Sequence, residues 1–325
     1  MKHVLHIYGA SGSGTSTLGR ALAEAMGLVF MDTDDYFWLP TDPPFTQKRP
    51  MPDRLTRMRA DIAASDRGAV ISGSLTGWGD PLMGLFTCAI RVVTPTDVRL
   101  ARLHRREYAR FGPRISEGGD LYAAHQAFLD WAARYDTGDV SMRSKACHDD
   151  WEQHLSCPLI RVDGTEALPD LVQAVRMRLW GIRAMAPADA DALFALWLAT
   201  PGMGLNTTDD SAEGIARFLR RNPTTCFVAE QDGRLTGAIM TGHDGRRGYI
   251  YHTCVRRENR RAGLGRALVE TALAALRAED IHNVALVAYA RNTDGNAFWE
   301  RMGFTVREDL VYRDHSLTEL VRIDP

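Results

Sequence analysis

The chain has 325 residues, of which 45% are hydrophobic, and its formal net charge is -2 at pH 7. This length suits two domains better than one, and the apolar content is sufficient for two cores. The near-zero charge gives no reason to expect a nucleic-acid ligand. No apolar run is long enough to cross a bilayer, so we expect no membrane partner.

The five cysteines are scattered through the sequence without a C-x-x-C spacing. This distribution favours free thiols in a reducing compartment. A glycine-rich loop begins at residue 9, which argues against a secretory signal peptide. We therefore expect a cytoplasmic protein, and the sequence leaves its oligomeric state open.

Residues 1–180 alternate between strand-like and helical runs. This pattern predicts an α/β domain with a doubly wound parallel sheet, in which ligands bind at the carboxyl ends of the strands. The expected strands are Val4–Tyr8, Leu28–Met31, Ala69–Ser72, Ala89–Val93 and Leu159–Val162. The expected helices cover residues 15–26, 53–64, 96–110, 120–135 and 167–180.

A loop rich in glycine and hydroxyl groups joins the first strand to the first helix. Its residues are Gly9, Ala10, Ser11, Gly12, Ser13, Gly14, Thr15, Ser16 and Thr17. The spacing fits the phosphate-binding pattern G-x-x-x-x-G-K-[ST], except that Thr15 occupies the lysine position. Backbone N–H groups of such a loop and the following helix N-terminus attract phosphate. The loop therefore predicts nucleotide binding, and the missing lysine weakens the case for phosphoryl transfer.

Charged side chains follow the second and fourth expected strands. Asp32 and Asp34 end the second strand, where they can hold Mg²⁺ together with Ser16 or accept a proton from an acceptor hydroxyl. The alternative is that an aspartate only caps the next turn. An arginine-rich helix follows the fourth strand and predicts either a lid over phosphates or a solvated basic face. The arginines that share a face are Arg99, Arg102, Arg106 and Arg110.

These residues resemble the P-loop small-molecule and nucleoside-monophosphate kinases, especially the shikimate kinase-like branch. The resemblance covers about 1–180. Phe30-x-Asp32-Thr33-Asp34 matches the substrate strand of that branch, and Val162-Asp163-Gly164-Thr165 is similar to its adenine-bordering loop. The resemblance implies ATP or GTP as ligand, with Mg²⁺.

The sequence departs from that family at two places. Thr15 replaces the loop lysine, and no aspartate follows the run Val70-Ile71-Ser72. Lys48 or a lid arginine is a candidate source of the lost charge. The resemblance therefore implies nucleotide binding more directly than it implies kinase activity.

Residues 182–325 have a different pattern, and Gly181 is the expected boundary. Two early helical runs come first, followed by strands with two further helices among them. The expected helices cover residues 187–199, 210–221, 264–278 and 294–302. The expected strands cover residues 225–230, 235–241, 248–255, 284–289 and 304–306.

The strand-to-helix connection near residue 260 is the most specific motif of the chain. Its glycines allow close backbone approach, so that N–H groups meet a pyrophosphate at the helix start. Its residues include Val255, Arg260, Arg261, Ala262, Gly263, Leu264, Gly265 and Arg266. It resembles the acetyl-coenzyme A loop of the GNAT acetyltransferases. The run from Asn292 to Phe304 matches the final helix and strand of that family.

The GNAT resemblance covers about 182–325 and implies an α+β domain with a mixed, mostly antiparallel sheet. It also implies direct transfer of acetyl from acetyl-coenzyme A to an amine. The loop would hold the pyrophosphate, and Asn292 would bond the pantetheine arm. Trp299 stands where the family usually has a tyrosine acid. The thiolate would then be protonated by water or by Tyr289 or Tyr312, for each of which a role as a core aromatic is equally open.

A general base is expected on the strand before the loop, where Tyr249, Tyr251 and His252 lie. Histidine titrates nearest to neutral pH, although a buried, hydrogen-bonded role is equally open for His252. Side chains alternate along a regular strand, so Tyr251 and His252 are expected on opposite faces. Asp209 and Asp210 are candidates to attract an ammonium acceptor, and the alternative is that Asp210 or Ser211 only caps the second early helix.

The sequence as a whole predicts a bifunctional enzyme acting on small molecules, with a P-loop domain at 1–180 and an acetyltransferase domain at 182–325. Acetyl transfer to an amine is one activity, and nucleotide binding with phosphoryl transfer is the other. The alternative is an acetyltransferase whose first domain senses nucleotide without turnover.

Overall fold

The computed structural model describes residues 2–42 and 44–323. The chain divides into two compact units, Met1–Val175 and Arg176–Pro325. Each unit has its own five-stranded sheet covered by helices, so the α/β class is confirmed. Within the described residues, no helix is long and apolar enough to span a membrane.

The sheet of the first unit is entirely parallel. Its strands pair in the order β2-β3-β1-β4-β5. They are β1 (His3–Gly9), β2 (Val29–Asp32), β3 (Gly68–Ser72), β4 (Cys88–Val93) and β5 (Leu159–Asp163). Every residue of β1 is buried, as expected for the central strand of a sheet with helices on both faces. All five strands were predicted from the sequence.

Seven α-helices lie among the described residues of this part of the chain, and the last crosses the boundary between the units. They are α1 (Thr15–Met26), α2 (Thr33–Phe37), α3 (Met51–Ala64), α4 (Thr96–Phe111), α5 (Tyr122–Ala133), α6 (Lys145–Glu152) and α7 (Leu168–Trp180). The predicted bounds of α1 are confirmed. Helices α2 and α6 were not predicted, because both are short and rest on side-chain caps. The Asp32 carboxylate caps α2 and the Ser144 hydroxyl caps α6.

A buried polar cluster lies between the sheet and α6. The Arg91 guanidinium donates to Asp149 at 2.5 Å and to Glu152 at 2.6 Å. The Tyr8 hydroxyl donates to the same Glu152 at 2.8 Å. The His6 ring stacks on Tyr8, with 5.1 Å between ring centroids. The polar atoms of this layer are mostly paired, which keeps β1 and β4 fixed behind the glycine-rich loop.

The sheet of the second unit is mixed, with the strand order β10-β9-β8-β7-β6. Its strands are β6 (Ile182–Ala184), β7 (Phe227–Gln231), β8 (Arg234–His243), β9 (Gly248–Val255) and β10 (Val284–Leu286). Only the β9–β10 pair among them is parallel. The remaining helices are α8 (Ala190–Leu198), α9 (Ala212–Arg221), α10 (Leu264–Ala278) and α11 (Thr293–Arg301). The predicted bounds of β9 and α10 are confirmed.

Helices α8 and α9 cover one face of this sheet, and α10 covers the other. Trp197 of α8 and Ile215 of α9 share a core with Ala238 and Cys254. Gly237, next to Ala238, faces the opposite way, since a Cβ there would lie 2.9 Å from Leu268 of α10. The site-bearing strand β9 is thus held between two helical layers.

The predicted strand at residues 304–306 is wrong. The Phe304 N–H donates to the Trp299 carbonyl at 3.0 Å, and Gly303 adopts a φ of 87°. This is a helix C-terminal closure, which uses the backbone group that a ladder would need. The Phe304 ring packs against Trp299, so its apolar side chain completes α11 instead of a sheet.

Acid should destabilise the first unit through His6. Burial lowers its pKa from 6.5 to about 3. Below pH 6.5 the unfolded chain therefore binds a proton that the folded chain does not, and stability falls with pH. From His6 alone the loss between pH 7 and pH 5 is about 2 kcal/mol. We expect His6→Phe to reduce the pH dependence of chemical unfolding by that amount.

The control is His154→Phe, at an exposed position of the same unit. It should leave the pH dependence as it is in the parent chain. An equal pH dependence in His6→Phe and the parent would contradict the assignment.

Candidate functional site

The glycine-rich loop of the first unit lies at the carboxyl end of β1. Gly12 and Gly14 adopt φ values of 81° and 100°, which disfavour other residues. A Cβ on Gly9 would lie 2.5 Å from the Val92 carbonyl oxygen. Helix α1 starts directly after Gly14 without a side-chain cap, so its first N–H groups face the loop.

The Ser13 hydroxyl is a candidate ligand contact at this loop. The residue is 1% exposed, and among the described residues its Oγ has no hydrogen-bond partner. Its carbonyl oxygen accepts from Thr94 at 3.1 Å, which fixes the loop against the end of β4. A buried hydroxyl without a partner is costly unless a ligand pairs with it.

The carboxylates after β2 meet the start of α1. The Ser16 hydroxyl donates to Asp32 Oδ2 at 3.2 Å, while Asp32 Oδ1 accepts the Asp34 N–H at 3.2 Å. Asp32 is therefore both a helix cap and a neighbour of the loop. Asp34 lies in the first turn of α2, past the end of β2.

Asp34 nevertheless lies among charges. Desolvation raises its pKa, and the Asp32 carboxylate raises it further, whereas Arg143 and Arg106 act in the opposite direction. Two carboxylates and two guanidinium groups therefore gather where β1 and β2 end. This is an arrangement suited to a phosphate ligand or its metal ion.

The arginines predicted to form a lid have different roles. Arg102 donates to the Gly164 carbonyl at 2.9 Å and approaches the Ser13 carbonyl at 3.5 Å, so it lies over the loop. Arg99 is fully buried and donates to Thr94, Ala132 and Asp136. Arg99 is therefore a structural residue, and its place in the predicted lid is wrong.

Arg143 was missed by the sequence analysis. Its Nη2 donates to the Gly9 carbonyl at 3.2 Å. The residue stands in an irregular segment before α6, where no periodicity or motif marks it. Its proximity depends on tertiary structure alone.

In the second unit, β9 carries a β-bulge at its centre. Ile239 of β8 pairs with Thr253, and Thr241 pairs with Ile250. Between these two pairs β9 advances by three residues while β8 advances by two. Strand β9 therefore carries one extra residue at positions 251 and 252. Tyr251 packs on Phe218 of α9, and His252 packs on Trp197 of α8. Both side chains face the same helical layer, so the expectation that they point to opposite faces is wrong.

His252 is paired with a buried carboxylate. Its Nε2 lies 2.7 Å from Asp210 Oδ1, and the Asp210 side chain is 4% exposed. Asp210 Oδ2 accepts the Asn206 N–H at 2.7 Å, which fixes the carboxylate. The cap of α9 is Ser211. Of the two predicted caps, Ser211 is therefore confirmed and Asp210 is not, because the Asp210 carboxylate instead orients His252.

The aromatic residues around the bulge are more exposed. Tyr251 is 54% exposed, and its ring lies 4.8 Å from that of Tyr249. Desolvation raises the pKa of both tyrosines, and the nearby Tyr312 adds to the effect. The hydroxyls therefore stay protonated at neutral pH, which suits them to contact a ligand more than to act as bases.

The backbone of β9 extends past its parallel neighbour. The pairing of β10 ends at Leu286 opposite Ile250, whereas β9 continues to Val255. The strand edge from Tyr251 onward thus lies beyond that pairing, and such an edge can bond an extended amide-containing ligand.

The connection after β9 ends on a helix start like that of the first unit. Gly263 adopts a φ of 101°, and α10 begins at Leu264 without a side-chain cap. Arg261 also has a positive φ, 64°, and its side chain is 84% exposed. The Arg260 guanidinium folds back on the Val255 carbonyl at 2.9 Å. Free amides and an exposed guanidinium thus face the same small region.

The remaining predicted residues are placed around this region. The Asn292 side chain accepts the Gly295 N–H at 3.0 Å and caps α11. The Tyr289 hydroxyl accepts from Arg322 at 3.2 Å. Phe298 of α11 lies 3.6 Å from the position of a Cβ on Gly265. Helix α11 is therefore packed beside the start of α10.

Comparisons with known proteins agree with these features of the second unit. Residues 190–304 match the sequence model of the Acetyltransferase (GNAT) family. The mycothiol acetyltransferase of Thermobispora bispora is 30% identical over 219 residues, which cover 62% of this chain and 65% of that protein. This chain thus spans slightly less than two thirds of that relative.

Two further proteins are similar to this chain. The Bacillus subtilis (strain 168) protein named Uncharacterized protein YqaC is 38% identical over 175 residues, 54% of this chain and 96% of that protein. The solved structure of the PaiA N-acetyltransferase from Thermoplasma acidophilum, in complex with coenzyme A, is 18% identical. It has a TM-score of 0.35 and covers 39% of this chain and 90% of that one.

Proposed function

The chain belongs to one family with the YqaC protein of Bacillus subtilis and carries a GNAT acetyltransferase domain at 190–304, and we propose that this domain acetylates a small-molecule amine with His252 as base. It is a GNAT N-acetyltransferase, and its cofactor is acetyl-coenzyme A. The role of His252 and the small-molecule nature of the acceptor are proposed from the geometry described above.

The His252–Asp210 pair is the observation that supports it most. With Asp210 bonded to Nε2, the neutral imidazole carries its proton there and leaves Nδ1 as the proton acceptor. The amine nitrogen attacks the thioester carbonyl carbon while His252 takes the amine proton. The new C–N bond forms, the C–S bond breaks, and the thiolate takes a proton from Tyr289, Tyr312 or water.

The residues present fit coenzyme A. The start of α10 offers amides to the pyrophosphate, with Arg261 beside them. The unpaired edge of β9 offers backbone groups to the pantetheine amides. Asn292, engaged as the cap of α11, stays a proposed neighbour of the pantetheine arm.

The acceptor would approach from the face of α8 and α9. The exposed Tyr251 and the carboxylate of Asp209 lie on this side. The negative charge of Asp209 contributes to raising the pKa of the Tyr251 hydroxyl. Aromatic faces and carboxylates together favour a cationic amine. The relative named mycothiol acetyltransferase is consistent with a small-molecule acceptor.

Gly263→Glu should abolish coenzyme A binding in the full chain. The new carboxylate would oppose the pyrophosphate, and the backbone at φ 101° disfavours a side chain. The matched control is Gly245→Glu, which has a φ of 87° and open space around its Cβ. Calorimetry should find affinity lost in the first variant only. Equal affinity in both would refute the assignment of this loop.

His252→Ala should lower kcat for acetyl transfer by about 100-fold or more. The rate falls because no side chain at this position then accepts the amine proton. Asp210→Asn should behave similarly, while Tyr251→Phe should mainly change KM. Rates are measured as coenzyme A release with the best amine of a panel.

The control for this series is His243→Ala. His243 forms a comparable pair with Glu279, 2.8 Å apart, elsewhere in the same unit. It should retain full activity. Full activity in His252→Ala would assign proton removal to water or to an amine that arrives unprotonated.

For the first unit, we propose a nucleotide site at the glycine-rich loop, with Mg²⁺ held near Ser16, Asp32 and Asp34. Support comes from the left-handed glycines, the uncapped start of α1 and the unpaired Ser13 hydroxyl. Phosphoryl transfer to a small molecule would make the protein bifunctional. Nucleotide sensing without turnover is the second candidate, favoured by Thr15 at the lysine position.

ATP or GTP should bind the full chain in the presence of Mg²⁺, and Gly14→Glu should remove this binding. Gly84→Glu is the control, since a Cβ at Gly84 meets open space. Nucleotide hydrolysis or transfer that increases in Thr15→Lys would favour a kinase, and binding without turnover in both proteins would favour a sensor. No heat of binding at millimolar nucleotide would reject the site.

A further inference from the structure

Arg143 lies at the loop that lacks its lysine. The guanidinium Nη2 donates to the carbonyl of Gly9, the first residue of the loop. The position is fixed by the start of α6, where Ser144 Oγ accepts the Cys147 N–H at 3.0 Å and donates to the Asp139 carbonyl at 2.6 Å. Arg143 is therefore held in place by local structure before any ligand arrives.

The guanidinium of Arg143 has unused hydrogen-bonding capacity. Its Nε is buried and has no hydrogen-bond partner among the described residues. Burial lowers the pKa of Arg143, and the charge of Asp34 only partly offsets this cost. The neighbouring Arg91 and Arg99, by contrast, form ion pairs with Asp149 and Asp136. A partly buried cation without such a pair is stabilised by an incoming anion.

Two other candidates for the missing charge, Lys48 and Arg102, have contacts of their own. Lys48 pairs with Trp38 in an isolated bridge, and its ammonium lies 5.8 Å from the centre of the Phe37 ring. Arg102 donates to the Gly164 carbonyl. Arg143 combines contact with Gly9 of the loop and an unpaired Nε donor, and a second unpaired donor, the Ser13 hydroxyl, belongs to the same loop.

We propose that Arg143 supplies to the nucleotide phosphates the positive charge that the loop lacks at position 15. A guanidinium presents several N–H donors in one plane and binds two phosphate oxygens at once, which an ammonium group cannot do. The ligand class is a nucleoside di- or triphosphate. The inference rests on the nucleotide site proposed above.

The test is calorimetry on the full chain with ATP, tripolyphosphate and adenosine. Arg143→Met should weaken binding of ATP and tripolyphosphate by about 10- to 100-fold, the range for a charge-assisted hydrogen bond. Adenosine affinity should not change. Arg143→Lys should retain part of the affinity, and Thr15→Lys added to Arg143→Met should restore it. Arg57→Met, at an exposed position of α3, is the matched control.

The possible outcomes distinguish a failure of the proposed Arg143 role from a failure of the proposed nucleotide site. If the parent chain binds neither ATP nor tripolyphosphate, the nucleotide site itself is refuted and the role of Arg143 with it. If the parent binds ATP and Arg143→Met binds it equally well, only the role of Arg143 is overturned. A loss that extends to adenosine and is not restored by Thr15→Lys would identify Arg143 as a structural residue.

Discussion

Two helices of this chain begin on a glycine with φ near 100°, and no side chain caps either of them. Gly14 precedes α1 at 100°, and Gly263 precedes α10 at 101°. The usual N-cap would satisfy the first amides with a side-chain oxygen. Here the amides stay available, and each helix follows a strand of its unit's sheet that holds it in place. An uncapped helix start has positive potential and binds an anion, so this constraint determines where both proposed ligands lie.

The two units differ in where the positive charge near the uncapped helix start comes from. In the second unit the exposed Arg261 belongs to the same connection as Gly263. In the first unit the connection contributes hydroxyl groups only, and a guanidinium reaches it from a segment more than 120 residues further along the chain. Local sequence can therefore define the backbone of the proposed phosphate site of the first unit, but it cannot define the charges around that site.

The same distinction explains how much could be predicted from the sequence. Periodicity and glycine spacing predicted β1, α1, β9 and α10, because these depend on local patterns and burial. The relation of Tyr251 to His252 was predicted wrongly, because a bulge depends on register against β8 and leaves no mark in composition. The pairing of His252 with Asp210 likewise joins residues 42 positions apart.

The bulge has a chemical consequence beyond the change of face. A regular strand would place Tyr251 and His252 on opposite sides, so that one of them would lie in the layer of α10. With the extra residue, the imidazole and the phenol lie side by side on the layer of α8 and α9, where Asp210 and Phe218 meet them. The proposed base, its orienting carboxylate and an aromatic contact surface then share one side of β9. The bulge also lies where β10 stops pairing, so the thioester and the base would meet at the same point of the strand.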